Sequence, residues 1–159
     1  MGKLLIVRHG ETIWNTQGRI QGHSDIELSE SGVQQARSLA ERLREVELDA
    51  VYSSDLVRAS RTAELVLEGR DVPLYHTERL REYHKGAFEG LTNQQIQEQF
   101  PAQYQAYLTK DLDFAPEGGE STRAVSVRAS GIITEIKDRH VDETMLVVGH
   151  GGSLRAAMM

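Results

Sequence analysis

The sequence predicts an α/β fold: a three-layer α/β/α sandwich around a mainly parallel sheet. Three observations carry this. Short β-branched and leucine-rich runs recur at Lys3–Val7, Asp49–Ser53, Pro73–His76 and Thr144–Val148. Between them lie segments whose apolar residues repeat close to the helical period, as in helices that bury one face. Strand and helix alternate, and parallel pairing needs the crossover that such helices supply. A length of 159 residues suits one compact domain.

Taken in order, Lys3–Val7 is a near-continuous apolar run and is expected to be a strand covered on both faces. Ser29 caps a helix with the stripe Val33, Ala36, Leu39, Ala40, Leu43 and Val46. Asp49–Ser53 is the second strand. Asp55 then caps a helix that turns Leu56, Ala59, Ala63, Val66 and Leu67 inward and stops at Gly69. Pro73–His76 is a short third strand. Thr92 caps a brief helix, and Pro101 opens another that carries Tyr104, Tyr107 and Leu108. After the loop 110–119, Ser121 caps a long helix with Val125, Ala129, Ile132, Ile133 and Ile136 on its inner face. Thr144–Val148 is the last strand, and Ser153 starts a final helix.

Composition narrows the function. With 18 Lys+Arg against 24 Asp+Glu the net charge is −6, which argues against a nucleic-acid partner, whose phosphates call for clustered positive charge. No apolar run approaches the roughly 18 residues of a membrane span. Arg8-His9-Gly10-Glu11 interrupts the N-terminal apolar stretch too early for a signal peptide. Cysteine is absent, which removes disulfides, thiol nucleophiles and cysteine metal sites and favours a soluble cytoplasmic protein.

Candidate chemistry lies where ligands bind in such folds, beyond the carboxyl ends of strands. His9 follows the first strand, in Arg8-His9-Gly10-Glu11-Thr12. His150 follows the last, in Gly149-His150-Gly151-Gly152. Arg58 falls in the first turn of a helix after the second strand, where a guanidinium joins free backbone N–H groups. Gathering Arg8, Arg58, His9 and His150 would be repulsive without an anion among them, and a phosphoryl group is the natural occupant. One neutral imidazole could then act as nucleophile, provided its other ring nitrogen is held in the right tautomer. His23, His76, His84 and His140 read as surface histidines. Tyr104 and Tyr107 read as packing residues, within a segment 100–114 that is expected to cover the leaving group.

The chain resembles the histidine phosphatase superfamily in its phosphoglycerate-mutase-like branch. The motifs are Leu5-Ile6-Val7-Arg8-His9-Gly10-Glu11-Thr12-x-Trp14-Asn15, then Gly18-Arg19-x-Gln21-Gly22-x-x-Asp25-x-x-Leu28-x-x-x-Gly32, then Ser53-Ser54-Asp55-Leu56-x-Arg58-Ala59-x-x-Thr62-Ala63. Leu80-Arg81-Glu82, Phe88-Glu89-Gly90, Gly118-Gly119-Glu120-Ser121 and Val148-Gly149-His150-Gly151-Gly152 follow in order. The resemblance implies a phosphohistidine mechanism with His9 as nucleophile, oriented by the Gly10 carbonyl. Arg8, Arg58, His150 and Asn15 would hold the phosphoryl oxygens, with Gln21, Gly22 and Gly151 also lining the substrate site. Glu82 would be the general acid and then the base, and Glu11 is a competing carboxylate ranked second, as a structural partner to arginine. No metal and no cofactor is implied.

Within the family, the short stretch between Glu82 and His150 resembles the broad-specificity and α-ribazole phosphatases more than the mutases. A phosphatase acting on small phosphorylated substrates is therefore expected. The alternatives are a cofactor-dependent phosphoglycerate mutase, a phosphohistidine-protein phosphatase and a non-enzymatic phosphate-binding module. Residues 1–159 are read as a single histidine phosphatase domain that lacks its C-terminal part. In that reading the Ser153 helix is short and the incomplete sheet invites association with a neighbouring chain.

Overall fold

A computed structural model describes residues 2–159. β1 (Lys3–Arg8) leads through the short helix α1 (Ile13–Thr16) to α2 (Glu30–Arg42) and then β2 (Ala50–Ser54). α3 (Val57–Leu67) connects β2 to β3 (Leu74–Thr77). α4 (Asn93–Gln99) and α5 (Pro101–Leu108) form a helical flap, and α6 (Thr122–Arg139) returns the chain to β4 (Thr144–Gly149) and α7 (Gly151–Ala157).

The four strands are all parallel in the order β1-β4-β2-β3. From β1 to β2 to β3 the chain moves one way across the sheet, and it comes back from β3 to β4. Right-handed crossovers therefore put α2 and α3 on one face and α6 on the other. Side chains sort accordingly. Val51, Leu146 and Val148 pack with Ala59, Ala63 and Val66 of α3. Ala50, Tyr52, Met145 and Val147 pack with Ile132 and Ile136 of α6 and Leu154 of α7. Val51, Leu146, Val147 and Val148 are wholly excluded from water. Each such aliphatic side chain stabilises the fold by about 2 kcal/mol.

Capping residues fix the helix starts. Ser29 accepts from Gly32 N, Thr92 forms a capping box with Gln95, and Ser121 accepts from Ala124 N. Pro101 stands at the first turn of α5.

Three expectations need correction. β1 is not buried on both faces: it is an edge strand with no fully buried residue, Leu4 packing in part on the α6 side and Leu5 and Val7 in part on the α3 side, while Ile6 is 38% exposed. Asp55 does not cap α3, whose N-cap is Leu56. Its carboxylate is drawn instead into a bidentate pair with Arg81, while Asp25, from a distant loop, accepts from Val57 N at 2.7 Å. The last helix starts at Gly151 rather than Ser153, with His150 as N-cap, and the Ser153 hydroxyl donates back to the His150 carbonyl.

Candidate active site

The carboxyl ends of β1, β4 and β2 lie side by side, with Arg8 opposite Gly149 and Ser53 opposite Val148. His9 and His150, each one residue past its strand, are thereby neighbours, with ring centroids 5.1 Å apart. Gly10 is required where the first loop passes under α2, because a Cβ there would meet the Gly32 carbonyl. Thr62 of α3 ties the same loop down, accepting from Gly10 N and donating to Arg58 O.

His9 Nδ1 stands 2.6 Å from the Gly10 carbonyl oxygen. A carbonyl only accepts, so Nδ1 carries the hydrogen and Nε2 the lone pair. Burial lowers the His9 pKa to about 4; the Gly10 bond opposes this, and the charges of Arg58 and Arg8 assist it. The ring is therefore neutral at pH 7.

His150 is wholly buried, and its Nε2 lies 2.8 Å from Ser54 Oγ. That hydroxyl already accepts from Leu56 N. If it also accepted from His150, its own hydrogen would be buried without an acceptor, a costly arrangement. Ser54 therefore donates to Nε2, which puts the His150 hydrogen on Nδ1, a buried atom with no partner in the protein. Burial, then the Arg58 charge, then His9, hold the His150 pKa well below the ordinary histidine value.

Arg58 is 1% exposed. Its two terminal nitrogens donate to the carbonyls of Ser24 and Gly22 at 2.8 and 2.7 Å, and Nε is left buried and unpartnered. Burial lowers its pKa to about 10, against the pull of Glu82, Asp25 and Glu89, so it stays charged at neutral pH. Two buried donors, His150 Nδ1 and Arg58 Nε, thus lack acceptors beside a neutral imidazole.

A cleft of about 1180 Å³ opens over this centre. Arg8, His9, Asn15, Gln21, Gly22, Arg58, Glu82 and Gly151 all line it, while His150 lies beneath its surface. The oxygens of Asn15 and Gln21 accept from Thr12, leaving their amide nitrogens as donors. Gly22 has φ +53, and a side chain there would also strike Glu89. Tyr107, Leu108, Leu112 and Phe114 of the expected covering segment line the outer cleft, whereas Tyr104 does not.

Glu82 reaches the start of α7, accepting from Gly152 N at 3.0 Å, Ser153 N at 2.9 Å and Tyr83 N at 3.0 Å. A Cβ on Gly152 would collide with the carboxylate, which explains the second glycine after His150. The main chain behind Glu82 is held by Arg128. This guanidinium donates to the carbonyls of Arg79, Arg81 and Glu82 and to both oxygens of Glu120.

Sequence reasoning missed Arg128, Ser54, Thr62 and Asp25. Asp25, Ser54 and Thr62 stand in the motifs without a role of their own, and Arg128 looks like any helix-surface arginine until α6 is placed against residues 79–82. Three of the histidines read as surface groups have defined partners. His23 Nε2 is 2.8 Å from the Glu82 carbonyl, and its ring packs edge-on to His84 at 4.6 Å. His140 bridges the Tyr52 hydroxyl and Glu143. Glu11 pairs with the Ser29 hydroxyl, not with an arginine.

Among the described residues, no group of three or more His, Asp or Glu could hold a metal ion. Among them too, no helix is long and apolar enough to cross a membrane.

Comparison with known proteins places these features in context. The family model for the histidine phosphatase superfamily (branch 1) matches residues 4–159. Phosphoglycerate mutase-like protein 4 of Arabidopsis thaliana is 41% identical over 97% of this chain and 68% of its own length. Phosphoserine phosphatase 1 of Hydrogenobacter thermophilus is 35% identical over 98% of this chain and 74% of its own. The solved structure of Bacillus stearothermophilus YhfR superposes with a TM-score of 0.93 at 42% identity, covering 99% of this chain and 78% of that one.

Proposed function

The chain belongs to the histidine phosphatase superfamily, and from that premise we propose that it hydrolyses small-molecule phosphate monoesters through a phosphohistidine at His9. The observation that carries the proposal is the Nδ1–H bond to the Gly10 carbonyl, which leaves the His9 Nε2 lone pair as the buried nucleophile.

In this reading Nε2 forms a bond to phosphorus as the bond to the leaving oxygen breaks, and Nδ1 keeps its hydrogen. Arg8, the Arg58 Nε, the His150 Nδ1–H and the Asn15 amide donate to the phosphoryl oxygens, where negative charge gathers in the transition state. Glu82, on the wall of the same cleft, gives a proton to the leaving oxygen. It then takes one from the water that attacks phosphorus, so phosphate departs and His9 returns neutral. Gln21, Gly22 and Gly151 complete the substrate wall. The net charge of −6 supports a small phosphorylated partner over a nucleic acid, and the absence of cysteine supports a cytoplasmic setting.

A metal-free assay with p-nitrophenyl phosphate, run beside a coupled 3-phosphoglycerate mutase assay, tests this. Monoester hydrolysis without isomerisation is expected. Isomerisation as the main activity would replace the phosphatase reading with the mutase one.

A further inference from the structure

Glu89 carries a carboxylate that does not line the cleft, yet its contacts gather behind the two groups that must be held most firmly. Phe88, the residue before it, is 1% exposed and anchors the turn. Oε1 of Glu89 accepts from His23 N at 2.8 Å and from Lys85 N at 3.0 Å, and Oε2 accepts from the Ser24 hydroxyl at 2.8 Å. All three donors are neutral, and they come from two segments far apart in the chain.

The bonds to His23 and Ser24 act on Arg58. His23 N and the Gly22 carbonyl belong to one peptide group, and Ser24 offers a carbonyl as well as its hydroxyl. Those two carbonyls are the acceptors of the Arg58 terminal nitrogens. Loop 22–24 is thus clamped between a carboxylate and a guanidinium, and the peptide joining Gly22 to His23 is polarised from both ends. The bond to Lys85 N acts on the turn that follows Glu82. His23 ties the same turn to the loop, since its Nε2 donates to the Glu82 carbonyl, which can only accept. Arg128 grips the Glu82 segment from the α6 side, and none of its bonds reaches loop 22–24.

We propose that Glu89 is a positioning residue that ties the Arg58 cradle to the Glu82 segment, so that one carboxylate sets both anion binding and proton donation. The proposal rests on the phosphatase reading above and adds to it a residue that touches neither the substrate nor the reacting atoms.

The test compares wild type, Glu89→Ala and Glu89→Gln in two readouts. The inhibition constant of inorganic phosphate reports on Arg58, and kcat/KM for an alkyl phosphate relative to p-nitrophenyl phosphate reports on Glu82. Glu89→Ala is expected to weaken phosphate by roughly tenfold, the scale of one lost hydrogen bond to a charged group. It should also slow the alkyl ester by roughly tenfold more than the nitrophenyl ester, a partial loss of general-acid catalysis. Glutamine can accept both N–H bonds through its carbonyl oxygen and donate its amide to Ser24 Oγ, so Glu89→Gln should retain most of both properties. A mere loss of folded enzyme would lower both rates together and leave the phosphate constant unmoved. An unchanged phosphate constant, equal losses on the two esters, or a glutamine variant as impaired as the alanine one would each overturn the proposal. Should Glu89→Ala fail to fold, Ser24→Ala takes its place, with weaker phosphate inhibition expected and an unchanged constant overturning the proposal. Hydrolysis of p-nitrophenyl phosphate by the wild type tests the phosphatase reading separately. Were that hydrolysis absent, calorimetric binding of inorganic phosphate to wild type and Glu89→Ala would decide the positioning role, with equal affinities overturning it.

Discussion

Ser54 Oγ lies 2.8 Å from His150 Nε2, and this one contact determines which face of the imidazole can donate. The serine ends β2 and the histidine follows β4, so the tautomer of a buried ring is fixed by the pairing of two parallel strands.

Removing the hydroxyl should therefore impair activity without emptying the core. Ser54→Ala is expected to lower kcat/KM by roughly tenfold, the equivalent of one net hydrogen bond. Ser54→Thr, which keeps a hydroxyl, should retain more activity. Steady-state kinetics with p-nitrophenyl phosphate provide the check, and equal losses in the two variants would count against a tautomer-setting role.

Arg128 acts at one remove, through the main chain that carries Glu82. Arg128→Ala is expected to slow hydrolysis of an alkyl phosphate by roughly a hundredfold, at the lower end of what a positioned general acid supplies. Hydrolysis of p-nitrophenyl phosphate, whose leaving group needs little protonation, should fall far less. Arg128→Lys cannot reproduce the fork of bonds and should resemble the alanine variant. Equal losses on both esters would show that Arg128 serves the fold alone.

Both site histidines bind protons less readily in the folded chain than in an unfolded one. His9 drops from 6.5 to about 4, chiefly through burial, and His150 shifts the same way. Between those values the unfolded state holds more protons. The stability contributed by the neutral rings is thus complete above about pH 6.5 and is lost as pH falls towards 4. Urea unfolding across this window should show a shallower pH dependence in His9→Ala than in wild type. NMR titration of His9 should give a midpoint near 4, and a midpoint at the ordinary histidine value would contradict its burial as a neutral base.

Asp25, rather than Asp55, satisfies the first turn of α3. Asp25→Ala should cost about 1 kcal/mol of stability, a typical N-cap loss. Asp55→Ala removes an exposed ion pair with Arg81 and should cost less. Chemical denaturation of the two variants orders them, and the reverse order would restore Asp55 as the cap.

The strands and the long helices were legible in the sequence because their signals are local. Apolar runs mark β2 and β4, and Ser29, Thr92 and Ser121 each cap the helix they precede. His9, His150 and Arg58 were legible as neighbours because each follows a strand. Contacts across long stretches of chain were not. Nothing near Asp25 in sequence points to α3, and nothing in α6 marks Arg128 as the residue gripping the Glu82 loop. The edge position of β1 was hidden too, since an apolar run looks the same at the rim of a sheet as at its centre.

The phosphohistidine at His9 is the claim on which the rest depends. Rapid quenching of the enzyme with a 32P-labelled monoester should trap protein-bound phosphate that is stable in base and lost in acid. Peptide mapping should place it on His9, and His9→Ala should show neither label nor turnover. A His9→Ala enzyme that still hydrolyses substrate at a substantial rate, or a label that maps to another residue, would contradict the covalent mechanism.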